Sequence, residues 1–277
     1  MGQFLSDLHT HTFLQYAFIA GVLSSIACGI IGSYVTVRRI TYIAGAISHC
    51  TLGGMGAARF FQKEYDFSIT PLQGAVGAAL LAALIIALVK QYTSQREDTV
   101  LSAIWSVGMA AGIFFISKTG GYNEDLMSYL FGDILMVSQK DLLLIAALDL
   151  IIVAIVLLFY NKLIAVCFDE EFARIRGVQV ELFEMLLLLM IALTVVLLVQ
   201  VVGIVMVVAM LTLPAATAGQ LVKRLWQMMM VAIALCLACT TGGLAISYQP
   251  DFPAGATIIL LTGMVYLLVT MAKKFNR

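Results

Sequence analysis

The sequence predicts an all-α polytopic membrane protein with eight to nine transmembrane helices. Of the 277 residues, 62% are hydrophobic and only 12% are charged, and the mean hydropathy is +1.01. Soluble globular domains have about twice that share of charge. The apolar residues form continuous runs close to the roughly 20 residues that a helix needs to cross a bilayer. A membrane β-barrel would instead show short segments of alternating hydrophobicity.

Nine apolar runs follow one another, with short polar segments between them. Residues 182–220 form two helices if the chain turns near Gly203, and one long or broken helix if it does not, and we favour two. No change in composition separates a soluble domain, so we interpret residues 1–277 as a single transmembrane domain. The predicted spans are 13–37, 42–61, 71–89, 99–117, 141–160, 182–202, 204–220, 227–247 and 254–272.

The basic residues predict the orientation in the membrane. With the C-terminus in the cytoplasm, twelve lysines and arginines lie at cytoplasmic ends and four at the opposite side, as the positive-inside rule requires. Nine helices then place the N-terminus outside. The twelve are Arg38, Arg39, Lys90, Arg96, Lys162, Arg174, Arg176, Lys223, Arg224, Lys273, Lys274 and Arg277; the four are Arg59, Lys63, Lys118 and Lys140.

Composition and motifs exclude several classes of function. The formal net charge is zero and no basic stripe exists beyond the ends of the spans, which argues against a nucleic-acid partner. The chain has no phosphate-binding loop of the Gly-x-x-x-x-Gly-Lys-Ser/Thr type, and no signature of zinc proteases or serine hydrolases. We therefore predict no catalytic residues and no ATP hydrolysis by this chain itself.

His49 is the one imidazole inside a predicted span. Ionisable side chains in hydrocarbon usually face a cavity, a partner or an ion path. Imidazole followed by the thiol of Cys50 suits zinc and similar divalent metals, and Ser48 is a weaker candidate ligand. Asp149 is the other ionisable group inside a span, and it is either a further carboxylate ligand or, as we favour, a hydrogen-bond partner of a neighbouring helix.

Two polar stretches differ from lipid-facing helix. Residues 123–135 are amphipathic and lie on the outer side. Their acids, Glu124, Asp125 and Asp133, would attract cations toward the mouth of a pathway, or else belong to an ordinary solvated helix.

The second stretch, residues 167–177, lies on the cytoplasmic side. Asp169 is placed to cap a helix with Glu170 and Glu171 in its first turn, and Gly177 to end it after Arg174, so the charges match the helix dipole. A short capped helix of this kind either docks on a soluble partner or is a plain loop helix.

Several motifs together carry a resemblance to one family. From about residue 13 to the C-terminus, the chain resembles the permease subunit of the ABC importers for zinc, manganese or iron. The matching pieces, in the family's order, are Val37-Arg38-Arg39 with Ala46-Ile47-Ser48-His49, Asp98-Thr99, Leu130-Phe131-Gly132-Asp133-Ile134-Leu135, Phe168-Asp169-Glu170-Glu171-Phe172-Ala173 with Gly177, Gln200-Val201-Val202-Gly203, Leu213-Pro214-Ala215-Ala216-Thr217-Ala218 and Pro253-Ala254-Gly255-Ala256-Thr257.

The resemblance implies a multi-pass permease in the cytoplasmic (inner) membrane of a prokaryote, with a fold similar to that of vitamin B12 and siderophore importers. Its implied partners are a second permease copy, cytoplasmic ABC ATPase subunits and an extracytoplasmic metal-binding protein. No cofactor is permanently bound, and the cargo is a divalent metal ion, zinc or manganese. ATPase coupling is implied for Phe168, Asp169, Glu170, Glu171, Phe172, Ala173, Arg174 and Gly177.

One departure from the family pattern bears on the metal. Members commonly have an aspartate four residues before the histidine, on the same helix face. Here that position is Gly45. Because manganese prefers oxygen ligands and zinc accepts nitrogen and sulfur, the missing carboxylate favours zinc over manganese.

Two other functions remain as alternatives. A carrier driven by an ion gradient would need polar groups at the midplane and broken helices in paired halves, and the sequence offers only His49 and Asp149. An intramembrane enzyme would need a nucleophile paired with a base, which is not apparent. Dependence of uptake on an ATPase distinguishes the carrier from the ABC permease.

Overall fold

The computed structural model describes residues 10–92, 97–119, 132, 134–248 and 252–275, and these contain helices and no strands. Nine of the helices have 18 residues or more, at the positions of the nine predicted spans. The helices are α1 Thr12–Val37, α2 Thr41–Tyr65, α3 Pro71–Tyr92, α4 Glu97–Lys118, α5 Gln139–Phe168, the short α6 Glu170–Ile175, α7 Val180–Val202, α8 Ile204–Leu221, α9 Leu225–Tyr248 and α10 Ala254–Phe275.

Eight of the nine long helices are apolar enough to cross a membrane by length and composition, and α2 is not one of them. Arg59, Lys63 and Glu64 lower its hydropathy near its C-terminal end. Within the bundle, α2 packs against α3, α4, α7 and α8, and also contacts α1. Protein therefore surrounds much of the helix that carries His49.

The joint between α7 and α8 decides between eight and nine helices. Gly203 alone separates the two helices and has φ 78° and ψ 165°, a conformation open in practice only to glycine. Gly132 packs onto this joint so closely that a Cβ there would lie 2.3 Å from the Gly203 nitrogen. Residues 182–220 thus form two helices, as the sequence analysis favoured.

α1 lies at the centre of the bundle and α10 at its edge. The most apolar 18-residue window is 72% buried in α1 and only 11% buried in α10. α1 packs against α5, α7, α8 and α9, whereas α10 contacts α8 and α9. The outer helices leave apolar side chains exposed, as expected of a protein whose solvent there is lipid.

Ion pairs between side chains at the helix ends show which ends lie at the same face of the bundle. Arg38 at the end of α1 binds Glu170 of α6 and Glu184 of α7, and Lys90 at the end of α3 also binds Glu184. We call this end of the bundle the Arg38 face. Successive long helices then alternate in direction, so that α1 begins at the opposite face and α10 ends at the Arg38 face.

Candidate metal-contacting site and coupling segment

His49 lies eight residues after the start of α2, roughly 12 Å from the Arg38 face at 1.5 Å per residue. Trp105 lies eight residues after the start of α4, at the same depth, and the two rings stack with centroids 4.3 Å apart and planes 14° apart. Among the described residues, the buried Nδ1 atom of His49 has no hydrogen-bond partner. Trp105 thus covers one face of the imidazole, and the buried Nδ1 atom is left without a hydrogen bond.

Gly45 lies one helical turn before His49 and next to the same indole. A Cβ at position 45 would lie 3.5 Å from Cζ3 of Trp105 and 3.6 Å from Cγ2 of Val208, which are ordinary van der Waals distances. A larger side chain at position 45 would therefore extend along the indole. Gly45, His49 and Trp105 form the candidate site.

Ser48 and Cys50 donate hydrogen bonds to backbone carbonyls. The fully buried Ser48 hydroxyl donates to the Gly45 carbonyl at 2.8 Å, within its own helix. The Cys50 thiol lies 3.9 Å from the Ala78 carbonyl of α3, to which it donates a weak hydrogen bond. No group of three or more His, Cys, Asp or Glu that could hold a metal ion occurs in the described part of the chain.

Asp149 is buried in α5, with 5% of its surface exposed. Neither carboxylate oxygen has a hydrogen-bond partner among the described residues, so the favoured bond to a neighbouring helix is not found there. α5 packs against α1, α7 and α6, whereas His49 is on α2. The structure therefore does not bring Asp149 and His49 into one site.

The segment 168–177 has the local structure that its sequence predicts. The Asp169 carboxylate accepts a hydrogen bond from the Phe172 backbone N–H at 2.9 Å and caps α6. Gly177 ends the segment with φ 75°, in the left-handed region. Ala173 is buried and fixes the inner side of the helix against the bundle.

The segment 168–177 exposes three large apolar side chains. Phe168, Phe172 and Ile175 are 66%, 49% and 85% exposed, and the Glu171 side chain beside them is exposed as well. Arg174 is held within the chain, since its Nη2 lies 2.6 Å from a carboxylate oxygen of Glu181 in α7. The segment thus presents two aromatic rings, an isoleucine and a carboxylate at the Arg38 face.

Sequence reasoning missed Trp105 and the ion pairs of Arg38. Trp105 had a signal, because tryptophan in membrane helices favours the interfaces, and this one lies inside a predicted span. The partners of Arg38 are 132 and 146 residues away along the chain, a pairing that sequence spacing does not reveal. Glu124, Asp125 and Asp133, proposed for the outer mouth, lie outside the described residues.

Comparisons with known proteins identify similar membrane proteins of metal transport systems. The chain matches the ABC 3 transport family over residues 10–273. It is 38% identical to a probable metal transport system membrane protein of Chlamydia pneumoniae, over 99% of this chain and 94% of that one. It is 34% identical to the manganese transport system membrane protein MntC of Halalkalibacterium halodurans, over 96% and 89% of the two chains.

A solved structure has the same fold over nearly the whole chain. PsaBC from Streptococcus pneumoniae, solved in complex with a Fab, contains a chain that superposes with a TM-score of 0.86 at 29% identity, covering 97% of this chain and 94% of that one. A likeness of this extent covers every long helix described above.

Proposed function

Since the chain belongs to the ABC 3 transport family, the permease family of ABC metal importers, we propose that it forms the membrane pathway for a divalent metal ion, with His49 as the ligand in that pathway. The protein performs no covalent chemistry. It moves its cargo by alternating access, and a separate ATPase supplies the energy.

The observation that carries this proposal is the position of the His49 imidazole. It lies on α2, the least apolar of the nine long helices described, with a buried nitrogen that no described residue satisfies. A polar group in this position costs free energy unless it has a partner. A passing metal ion provides that partner.

A second copy of the chain completes the ligand set in this proposal. The described residues of one protomer bring no third ligand to His49, whereas zinc and manganese need at least four. Two protomers that face each other contribute two imidazoles, and water fills the remaining positions. The family resemblance also implies a paired permease.

The orientation follows from charge. The Arg38 face includes most of the lysines and arginines, and we assign it to the cytoplasm, with the C-terminus on the same side. This assignment puts the segment 168–177 in reach of a cytoplasmic ATPase, and its exposed Phe168, Phe172 and Ile175 in reach of an apolar socket on that ATPase. An extracytoplasmic metal-binding protein would dock on the opposite face.

For the cargo we propose zinc in preference to manganese. The site offers an imidazole nitrogen and lacks the carboxylate that the family places at position 45, and nitrogen ligands favour zinc over manganese. Manganese is the second candidate, because a relative that is 34% identical has a name that refers to manganese transport. The coarser proposal, a divalent transition metal, does not depend on this choice.

The test is uptake of radioactive zinc and manganese by cells or liposomes that contain the permease with its ATPase and binding protein. We expect His49→Ala to abolish uptake while the complex still assembles. His11→Ala is the matched control, because His11 is exposed near the N-terminus, at the opposite end of α1 from the Arg38 face. Full transport by His49→Ala would exclude His49 as the ligand.

The same assay separates the ABC permease from a stand-alone carrier. Uptake should stop when the ATPase is omitted or made unable to hydrolyse ATP, and it should persist when the proton and sodium gradients are collapsed. Uptake without any ATPase, driven by an ion gradient, would contradict the proposal.

A further inference from the structure

A network of four charged side chains lies where five helices meet at the Arg38 face. Arg38 donates from Nη1 to the Val166 carbonyl at 2.7 Å and to the Glu170 carboxylate at 2.6 Å, and from Nη2 to Glu184. Lys90 donates to the same Glu184 oxygen at 2.8 Å. Two cations and two carboxylates thus balance one another.

Arg38 is the best shielded member of this network. Its side chain is 11% exposed, compared with 17% for Glu184, 33% for Lys90 and 44% for Glu170. Burial by itself would lower the pKa of Arg38, but the carboxylates of Glu170 and Glu184 outweigh it, and the pKa is raised. The guanidinium therefore remains charged and paired.

The contacts of Arg38 join the segment 168–177 to the rest of the bundle. Val166 and Glu170 lie on either side of the α5–α6 joint, and Glu184 lies in the second turn of α7. The other ion pair of the segment, between Arg174 and Glu181, is 61% and 45% exposed, and exposed pairs contribute little. A shielded pair with several hydrogen bonds resists separation more strongly.

Arg38 is also the first residue after α1 in the connection to α2. Its N–H donates to the Tyr34 carbonyl at 2.9 Å, and the Ile40 N–H donates to the Val35 carbonyl at 3.0 Å, so the turn is closed by backbone bonds. Thr41 begins α2, and His49 follows eight residues later. The side chain that holds α6 thus belongs to the short connection that leads into the His49 helix.

We propose that Arg38 is the positioning residue that transmits movement of the segment 168–177 to α2, and thereby to His49. This inference rests on the proposed function, because it assumes that the segment docks on the ATPase and that His49 contacts the cargo. When the ATPase shifts α6, Arg38 carries that shift into the α1–α2 turn and α7, which flank the pathway.

The test measures metal ions transported per ATP hydrolysed by the complete complex in liposomes. We expect Arg38→Gln to lower this ratio at least tenfold, while the complex assembles and ATP is still hydrolysed. Arg38→Lys should give an intermediate ratio, because ammonium keeps the charge but lacks the planar fork that reaches several acceptors. Arg39→Gln, an exposed neighbour outside the network, is the matched control.

A double-mutant cycle makes the inference falsifiable even if Arg38→Gln assembles poorly. Glu170→Gln alters a carboxylate that is 44% exposed, so the fold should survive, and it should also lower the ratio. In the double variant the combined loss should be less than the sum of the two single losses, because both single variants break the Arg38–Glu170 pair. Unchanged ratios in both single variants, or fully additive losses, would overturn the role of Arg38.

The failure of this inference differs from the failure of the proposed function. If the wild-type complex transports no metal, or His49→Ala transports normally, the proposed function is wrong. If the wild-type complex transports metal, His49→Ala does not, and Arg38→Gln keeps the wild-type ratio, only the role of Arg38 is wrong.

Discussion

At the scale of single residues, the candidate site depends on how closely His49, Trp105 and Gly45 pack together. Trp105 covers one face of the His49 ring and lies beside Gly45, where a Cβ would be 3.5 Å from the indole. A buried polar nitrogen without a hydrogen bond costs about 1–3 kcal/mol. In the proposed function an arriving ion removes that cost, and the stacked indole holds the imidazole ready for it.

Restoring the family carboxylate should change the selectivity. We expect Gly45→Asp to shift the ratio of zinc to manganese uptake toward manganese, because it adds an oxygen ligand one turn before His49. The shift should be larger in Gly45→Asp with Trp105→Ala, since the indole then no longer covers the path of the carboxylate. Competition uptake with both metals measures these ratios.

Gly45→Ala is the control for this pair of variants, since it adds only the Cβ, for which space exists. Its zinc-to-manganese ratio should equal that of the wild type. An unchanged ratio in both aspartate variants would contradict this explanation of selectivity.

At the scale of elements, α6 and the α7–α8 joint show how short segments acquire distinct roles. α6 has six residues, too few to be stable by itself, and its cap at Asp169 and its contacts with the bundle hold it in place. Its exposed side chains are then free to meet a partner.

Charge reversal on α6 should uncouple ATP hydrolysis from transport. Glu171→Lys alters an exposed carboxylate of the docking side, and Arg174→Glu breaks the pair with Glu181 as well. Because exposed pairs contribute less than about 1 kcal/mol, the membrane fold should survive both changes. Uptake and ATPase activity stimulated by the binding protein are the measurements.

The swap Arg174→Glu with Glu181→Arg is the control for the local ion pair. It restores that pair but leaves a reversed charge on α6, so it should remain uncoupled if the segment docks on the ATPase. Recovery of wild-type coupling in the swap would show that Arg174 acts only through its ion pair with Glu181 and does not contact the ATPase.

The joint at Gly203 should tolerate no side chain. Gly203→Ala imposes φ 78° on a residue with a Cβ, next to the closely packed Gly132, at a cost of about 1–3 kcal/mol. We expect a lower Tm in thermal unfolding of the purified protein. Gly263→Ala in α10 is the matched control, because no atom lies within 4 Å of its added Cβ, and its Tm should be unchanged or higher.

At the scale of the whole molecule, opposite faces carry different charge. The Arg38 face includes the basic ends of α1, α3, α8 and α10, and Lys273 of α10 contacts the Gln220 carbonyl at the end of α8. The sequence places Glu124, Asp125 and Asp133 on the other side. In the proposed orientation, such asymmetry agrees with the positive-inside rule and would guide cations toward an outer mouth.

The three outer acids should attract cations through their combined electrostatic field. Neutralising Glu124, Asp125 and Asp133 together to Gln and Asn should slow uptake, and the effect should be stronger at low salt. Exposed charges act over a Debye length of about 10 Å at 0.1 M ionic strength, and this length grows as salt is removed. Uptake rates measured from low to high salt test this, and equal rates at all salt concentrations would contradict it.

The sequence by itself determined the class, the nine long helices, and the cap and end of α6, and it singled out His49 as a candidate ligand, which stays a prediction. These features depend on local chemistry: apolar runs long enough for a bilayer, a carboxylate before a helix, and an imidazole where water is absent. The turn at Gly203 also belongs here, because glycine alone accepts its backbone angles.

Only the tertiary structure decided which distant side chains meet. Trp105 faces His49 because α2 and α4 run side by side from the same face, and Asp149 does not, because its helix packs elsewhere. Cys50, adjacent to His49 in the chain, donates to Ala78, since successive residues on a helix point about 100° apart. The pairing of Arg38 with Glu170 and Glu184 likewise depends on helix packing, which sequence spacing does not encode.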